Sequence, residues 1–177
     1  MLKKILVCLD GSRFAEGLLP YAIDRARRFS SKIVLLKVIG SKVSGFAASM
    51  PGMLGQSAPI IGQGQLDNMI RKEESRDRLY LETVAVKLKQ MGLDVDYVTW
   101  HRMAGTIGDA IVAYARENEV DLVMMATHRN SFWKRLVFGS ITESVIRKSA
   151  SPVLVVSPQC DRTNEGALGE MSQASLR

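Results

Sequence analysis

The chain has 177 residues, of which 46% are hydrophobic and 24% charged, and its formal net charge is +6. This length and composition fit one folded domain and exclude global disorder, because the apolar content suffices for a hydrophobic core. No stretch approaches the ~18 apolar residues of a membrane span, and the amino terminus lacks a signal-peptide core. Cys8 and Cys160 form neither a disulfide framework nor a metal-ligand spacing, so we expect a cytoplasmic protein.

The amino-terminal part of the chain predicts two buried strands around a helical stretch. The apolar run Ile5–Leu9 ends in Asp10-Gly11-Ser12, which is typical of a strand buried on both faces and closed by turn residues. Apolar residues recur at helical spacing over residues 12–30, where Pro20 should kink the helix or delay its start. The β-branched run Ile33–Ile39 predicts the second strand.

The next segments predict a long loop and a long helix. Residues 40–65 are rich in glycine, contain no acidic residue and follow no regular period, which favours a binding loop or a mobile segment. Dense mixed charge with apolar residues at helical spacing predicts a helix over Leu66–Met91. The polar tail 158–177 is predicted to be disordered, which leaves residues 1–157 as the domain.

The remaining sequence predicts three strands and two helices. The strands are expected over residues 95–101, 121–126 and 152–156, the helices over 106–118 and 140–148, and a polar loop over 127–138. Each crossover between parallel strands needs a connection as long as a helix. Five strands alternating with helical segments therefore predict an α/β fold whose parallel sheet is covered on both faces.

Ligands of open α/β sheets bind beyond the carboxyl ends of the strands, so candidate residues are sought in the turns that follow. Asp10-Gly11-Ser12 follows the first strand, and Val38 to Gly40 lie at the end of the second. Gly139-Ser140-Ile141-Thr142 opens a helix, where amide N–H groups and the helix dipole suit a phosphate and a glycine permits close approach. A structural alternative remains open, since Asp10, Ser12 and Ser140 are all residues that commonly cap helices.

The sequence lacks the motifs of several other kinds of functional site. Gly62-Gln-Gly64 follows no predicted strand and lacks the third glycine of a dinucleotide fingerprint, and no Walker lysine loop is present. The two histidines and the scattered carboxylates supply neither a catalytic triad nor a zinc spacing. No residue stands out as a base for an attacking water, so fast hydrolysis is not expected. The basic excess lacks a recognisable nucleic-acid reading element, so nucleic acid ranks last among the partners.

Four segments together resemble the universal stress protein family. They are Ile5–Ser12, Leu35–Val38, the block Asp121–His128, and Phe138–Arg147 leading to Ser151–Val156. Each is weak alone, but their order and spacing are specific. The resemblance implies a Rossmann-like three-layer sandwich of the adenine nucleotide alpha hydrolase type, with strand order 3-2-1-4-5. It also implies a homodimer through the fifth strands, and pairing Val153–Val156 with its copy would remove an exposed apolar edge.

The resemblance also implies an ATP site, with a divalent cation such as Mg²⁺ accompanying the triphosphate. Asp10, Gly11 and Ser12 would lie at the ribose, the Val38 backbone would read the adenine edge, and Gly139, Ser140, Ile141 and Thr142 would hold the phosphates. In nucleotide-binding members the motif is glycine, two residues, glycine, nine residues, then glycine with serine or threonine.

This chain keeps only the last part of that motif, because Ala126 and Arg129 replace the first two glycines around Thr127. A side chain forced into a left-handed conformation at Arg129 would cost roughly 1 to 2 kcal/mol. Its guanidinium could instead contact a phosphate. Three hypotheses follow: a nucleotide-responsive regulator of the stress response, a family member that binds no nucleotide and acts through protein interactions, and a slow ATPase or nucleotidyl transferase, which only the general use of the fold suggests.

Overall fold

Five parallel strands form a sheet in the computed structural model, which describes residues 2–39, 63–101, 105–127 and 139–157. The strands are β1 Lys4–Cys8, β2 Lys32–Ile39, β3 Val95–His101, β4 Leu122–Ala126 and β5 Val153–Val156. Their order is β3-β2-β1-β4-β5, and every hydrogen-bonded pair is parallel. The predicted α/β class, the parallel sheet and the strand order are confirmed.

The helices are α1 Arg13–Glu16, α2 Leu19–Phe29, α3 Gln63–Gln90, α4 Ile107–Glu117 and α5 Ser140–Lys148. Pro20 lies in the first turn of α2, where its missing N–H has no intrahelical partner to lose, so the delayed start is confirmed. None of the helices in the described part of the chain is both long and apolar enough to cross a membrane.

The predicted boundary between the long loop and α3 was wrong. The helix begins at Gln63, so residues 63–65 are helical although they were assigned to the loop over 40–65. Apolar periodicity marks the buried part of a helix and carries no signal for the polar turn that precedes it. The rest of that loop, residues 40–62, and the tail 158–177 lie outside the described residues.

The sheet has a hydrophobic core on each face, because successive side chains of a strand point to opposite sides. On the first face, α1, α2 and α3 pack over inward residues of the strands, which include Ile5, Val7, Ile33, Leu35 and Met124. On the second face, α4 and α5 pack over the alternate residues, which include Leu6, Val34, Leu36, Val123 and Met125. Apart from Lys4, Lys32 and Lys37, both faces of the central strands β1, β2 and β4 are apolar, which explains the long apolar runs in the sequence.

The chain order reverses direction at β1, which lies between β2 and β4. Because all the strands are parallel, the carboxyl ends of β1, β2 and β4 lie side by side at one edge of the sheet. Helix α5 runs from this edge back to the start of β5, so its amino terminus also lies at the carboxyl edge. The fold thus places the predicted site segments at the switch point where α/β proteins bind ligands.

Candidate functional site

The turn after β1 is built by its own polar residues. The Leu9 N–H donates to the Leu36 carbonyl as the last bond to β2, and the chain then turns at Asp10. The Ser12 N–H donates to Asp10 Oδ1 over 2.8 Å, and Ser12 Oγ accepts from the Ala15 N–H over 3.1 Å. The structural alternative therefore applies to Ser12, which caps α1. Asp10 is exposed and holds the turn rather than the helix.

A buried charged pair lies directly behind this turn on the first face. Lys37 Nζ donates to Asp77 Oδ1 over 2.5 Å, and the two side chains are only 16% and 11% exposed. The same ammonium lies 5.6 Å from the centre of the Tyr80 ring and 3.1 Å from the position that a Cβ on Gly11 would occupy. Sequence reasoning missed this pair, although a lysine inside the apolar run 33–39 was a usable signal.

Val38 presents backbone hydrogen-bonding groups beyond the end of β1. The pairing of β1 with β2 ends at Cys8 and Leu36, whereas β2 continues to Ile39 along β3. Leu36 directs its carbonyl toward β1, and residues two apart along a strand direct these groups to the same side. The N–H and C=O of Val38 therefore point to the side of β1 where that strand has already ended, which suits recognition of a purine edge.

At the end of β4, two predicted binding residues make their contacts within the sheet. Ala126 is the last strand residue and pairs with Val156, and its side chain packs on the first-face core. The Thr127 N–H donates to the Val156 carbonyl over 2.9 Å, so this amide is not available to a phosphate. Arg129 lies outside the described residues.

Gly139 is the N-cap of α5, and no side chain among the described residues caps this helix. Its φ of −59° and ψ of 153° are open to any residue, and a Cβ built on it would meet no described residue within 4 Å. The fold itself therefore does not require a glycine here. Ser140, which could have capped the helix, is instead its first residue. The first amides of α5 thus lie at a helix start that no described side chain caps, which is the kind of place where an anion can bind.

Helix α4 begins at the same edge and is capped in the ordinary way. The Thr106 hydroxyl accepts from the Asp109 N–H, and the Asp109 carboxylate accepts from the Thr106 N–H over 2.8 Å. In α4 the helix's own side chains thus satisfy the first amides, whereas no described side chain does so in α5.

Helix α5 is fixed in place by a close approach to α4. A Cβ on Gly108 would lie 2.8 Å from the Ser144 Cβ and 3.2 Å from the Ile141 carbonyl oxygen, so these helices need a residue without a side chain at this crossing. Lys148 Nζ also donates to Asp109 Oδ1 over 2.6 Å. Thr142 is buried, whereas Gly139, Ser140 and Ile141 are exposed. The start of α5 is therefore held rigidly while its first residues face solvent.

The ion pair between Lys148 of α5 and Asp109 of α4 predicts an acid-sensitive contribution to stability. The Lys148 ammonium, followed by the Thr106 N–H and hydroxyl, holds the pKa of the Asp109 carboxyl well below its usual range. A carboxylate whose pKa is lowered by folding stabilises the protein above its unfolded pKa, and loses this contribution as the pH falls through its folded pKa. We expect Asp109→Asn to be less stable than wild type by a constant amount near neutral pH, and the difference to shrink below about pH 4.

Urea denaturation of both proteins from about pH 7 to about pH 2.5 checks this expectation. A difference in unfolding free energy that stays constant down to the lowest pH would contradict it.

Neither a metal cluster nor a reactive thiol is found among the described residues. No three histidine, cysteine or carboxylate side chains come together there as metal ligands. Cys8 packs against the second-face core, and burial raises the pKa of its thiol to about 12, so this sulfur is not poised as a nucleophile. Among the described residues, the carboxyl edge offers a carboxylate, backbone groups and helix amides, all of which can bind a ligand.

A second concavity lies on the first face between α1, α2 and α3. Its volume is about 210 Å³, and Glu16, Leu19, Tyr80 and further residues of α3 line it. Leu19 is the first residue of α2, so one helix amino terminus lines this groove, but the carboxylate of Glu16 beside it would repel a phosphate.

Comparison with known proteins identifies the family. The model of the universal stress protein family matches residues 1–157. The chain belongs to the universal stress protein family. The universal stress protein MJ0577 of Methanocaldococcus jannaschii is 29% identical over 160 residues, which cover 88% of this chain and 95% of that protein. The solved structure of MJ0577 superposes with a TM-score of 0.66 at 26% identity and covers 89% of this chain and 96% of that one.

Two other universal stress proteins share the fold and were solved with adenine nucleotides. The protein of Archaeoglobus fulgidus in complex with dAMP is 18% identical, with a TM-score of 0.56, and covers 89% of this chain and 100% of that one. Another universal stress protein in complex with cAMP is also 18% identical, with a TM-score of 0.53, and covers 89% of this chain and 98% of that one. At this identity the likeness establishes the fold of the present family member.

Proposed function

We propose that this universal stress protein binds an adenine nucleotide, ATP or AMP, at the carboxyl edge of its sheet and acts as a cytoplasmic, nucleotide-responsive regulator of the stress response. The observation that carries the proposal is the start of α5. No described side chain caps the helix at Gly139, although neither its backbone angles nor the described residues around it require a glycine. Amides that no side chain caps, at the positive end of a helix dipole, are well placed to bind an anion.

Each part of the nucleotide has a matching group at this edge. The Asp10 carboxylate is exposed at the end of β1 and suits the ribose hydroxyls as an acceptor. The N–H and C=O of Val38 suit the adenine edge, and the amides of Ser140, Ile141 and Thr142 suit the phosphates. The complexes of two other family members with cAMP and dAMP support an adenine nucleotide as the ligand class. With a triphosphate, Mg²⁺ would be bound mainly by phosphate oxygens and water, as is usual for this ion.

Replacing Asp10 tests the proposal. A hydrogen bond to a charged group contributes about 1.5 to 3 kcal/mol, so we expect Asp10→Ala to weaken ATP binding by about 10- to 100-fold. Isothermal titration calorimetry with ATP and Mg²⁺ measures the change. Asp24→Ala is the matched control, because Asp24 is a partly exposed carboxylate on α2 that pairs only with arginines in the described part of the chain. Equal affinities for wild type and Asp10→Ala would contradict the assignment.

The alternative function, a family member that binds no nucleotide and acts as a protein-interaction module, is favoured by the end of β4. Ala126 replaces the first motif glycine, and the Thr127 N–H is already bonded to the sheet. Chromatography of the small molecules released by denaturing freshly purified protein separates the two functions. Adenine nucleotide in the extract supports the regulator, whereas its repeated absence together with no heat of ATP binding supports the interaction module.

We also propose that the protein is a homodimer joined through β5. This strand pairs with β4, and its four residues are each partly exposed. The carbonyls of Pro152 and Val156 accept from β4, so by alternation the Val155 N–H points away from the sheet. Val155→Pro removes that donor without removing a bond to β4, and proline is tolerated at such an edge position.

We expect Val155→Pro to halve the mass measured by size-exclusion chromatography with light scattering, from that of two chains to that of one. Val155→Ala, which keeps the N–H, should remain dimeric. A wild-type protein with the mass of one chain, or a proline variant that stays dimeric, would contradict pairing through β5.

A further inference from the structure

We propose that Lys37, held in place by Asp77, is a positioning residue that fixes the Asp10-Gly11-Ser12 turn for ribose binding. This inference rests on the proposed nucleotide site and adds a function for a buried charged pair outside it.

Lys37 is an inward-facing residue of a central strand. In β2 it follows Ile33 and Leu35 at two-residue spacing, and both of these are fully buried in the first-face core. Its side chain therefore points toward α3, where it meets Asp77. The neighbouring strand β1 carries Val7 and Leu9 in the same layer. An apolar side chain at position 37 would fit this layer, so the packing alone does not call for a charge.

Filling that space with a buried ion pair costs free energy. Removing two charges from water costs free energy that their attraction only partly recovers, and apolar replacements of similar size are often equally stable or more stable. The pair here is largely shielded from solvent, with exposed fractions of 16% for Lys37 and 11% for Asp77. The Tyr80 ring adds a favourable cation–π contact to the same ammonium at 5.6 Å. Two residues of α3 thus converge on one nitrogen atom and fix where it lies.

That nitrogen atom lies against the turn. Gly11 has φ +90°, a conformation that favours glycine, and the Lys37 Nζ is 3.1 Å from the position that a Cβ on Gly11 would occupy. The ammonium therefore packs on the Gly11 backbone between Asp10 and Ser12, whose carboxylate and N–H form the bond that defines the turn. Burial first, and then the nearby carboxylates of Glu16 and Asp10, raise the pKa of Tyr80, which places Asp10 in the same electrostatic environment as this cluster.

Gly92 offers a comparison for the role of this contact. It also has a left-handed conformation, with φ +80°, but a Cβ on it would meet nothing within 4 Å. Gly105, with φ +72°, has the Asp109 carboxylate 2.7 Å from its Cβ position, so among these three glycines only Gly11 has a cation packed on it. What distinguishes the site turn is therefore the Lys37 ammonium.

The test removes the charged pair while keeping the core filled. Lys37→Met with Asp77→Leu replaces both charges by apolar side chains, so no buried charge is left without its partner. Lys37→Arg keeps the positive charge. Circular dichroism and thermal denaturation establish that the variants are folded before the two measurements below are interpreted.

The first measurement is made without ligand. Hydrogen exchange of the Ser12 amide, followed by NMR, reports the bond from this amide to Asp10. We expect the double variant to exchange about tenfold faster or more at Ser12. The Thr106 amide, which makes a similar bond to the Asp109 carboxylate at the start of α4, should be unchanged. Lys37→Arg should retain slow exchange at Ser12.

The second measurement compares the affinities of ATP and 2′,3′-dideoxy-ATP by calorimetry. Wild type and Lys37→Arg should prefer ATP by about tenfold or more, because Asp10 accepts from the ribose hydroxyls, and the double variant should lose most of this preference. A merely structural role for the pair would change stability but leave the preference intact.

The outcomes separate the two proposals. Unchanged exchange at Ser12 in the folded double variant, or an unchanged preference for ATP, would overturn the positioning role. If wild type binds no nucleotide, the proposed function fails. The exchange of Ser12 then still decides whether Lys37 fixes the turn.

Discussion

Replacing Asp77 with alanine is expected to destabilise the protein by about 3 to 5 kcal/mol, because the substitution leaves the Lys37 ammonium buried without its partner. The pair is shielded under α3, and its two atoms lie 2.5 Å apart. Equilibrium denaturation in urea measures the change in unfolding free energy. A loss of this size would be a large fraction of the total stability of a domain, which is commonly about 5 to 15 kcal/mol.

Glu143→Ala is the matched control for Asp77→Ala. Glu143 also pairs with a cation, Arg147 at 3.2 Å, but these side chains are 54% and 75% exposed. Exposed pairs on a helix contribute about 0.5 kcal/mol or less, so the control should be nearly neutral. Adding Lys37→Met to an Asp77→Leu protein should recover much of the stability lost on removing Asp77 alone, because neither charge then remains buried. Similar losses for Asp77→Ala and Glu143→Ala would show that removing Asp77 does not leave an uncompensated buried charge at Lys37.

Replacing Gly139 with aspartate is expected to weaken ATP binding by about 100-fold or more without destabilising the protein. The backbone angles at Gly139 are open to any residue, and no described residue lies within 4 Å of its Cβ position. An aspartate at an N-cap accepts from the first helix amides and favours the positive end of the dipole, so stability should stay equal or rise by a few tenths of a kcal/mol. The same carboxylate would occupy two or more amides needed by the phosphates, each bond contributing about 1.5 to 3 kcal/mol.

Gly139→Asn provides the control for charge. Asparagine caps a helix about as well as aspartate but carries no negative charge. We expect an intermediate affinity for ATP, which would separate competition for the amides from repulsion of the phosphates. Thermal denaturation of the same preparations measures stability. An aspartate variant that binds ATP as tightly as wild type would show that α5 does not hold the phosphates.

The fold was predictable because hydrophobic patterning dominates it. The apolar runs at residues 5–9 and 33–39 predicted β1 and β2 to within one residue at each end, since strands buried on both faces contain few polar residues. Pro20 predicted where α2 begins. Helix α3 was harder, because its first turn at Gln63 is polar and lies beyond the apolar period. The strand order came from the family resemblance, since pairing between distant strands leaves no local signal.

The candidate site was predictable in outline and not in detail. Turn residues and glycines marked Asp10 and Gly139 because strand ends at a switch point carry such residues. The partner of Lys37 lies forty residues away on α3, so only the folded chain reveals the buried pair. The bond from the Thr127 N–H to β5 also depends on tertiary pairing. Sequence alone left open whether Ser140 would cap α5, and the helix instead begins with that residue.

A crystal structure of the protein grown with a non-hydrolysable ATP analogue and Mg²⁺ tests the nucleotide site most directly. We expect the ribose hydroxyls within hydrogen-bonding distance of the Asp10 carboxylate, the adenine edge on the Val38 backbone, and phosphate oxygens on the amides that follow Gly139. A nucleotide bound elsewhere, such as in the groove beside Tyr80, or no nucleotide at saturating concentration, would contradict the assignment.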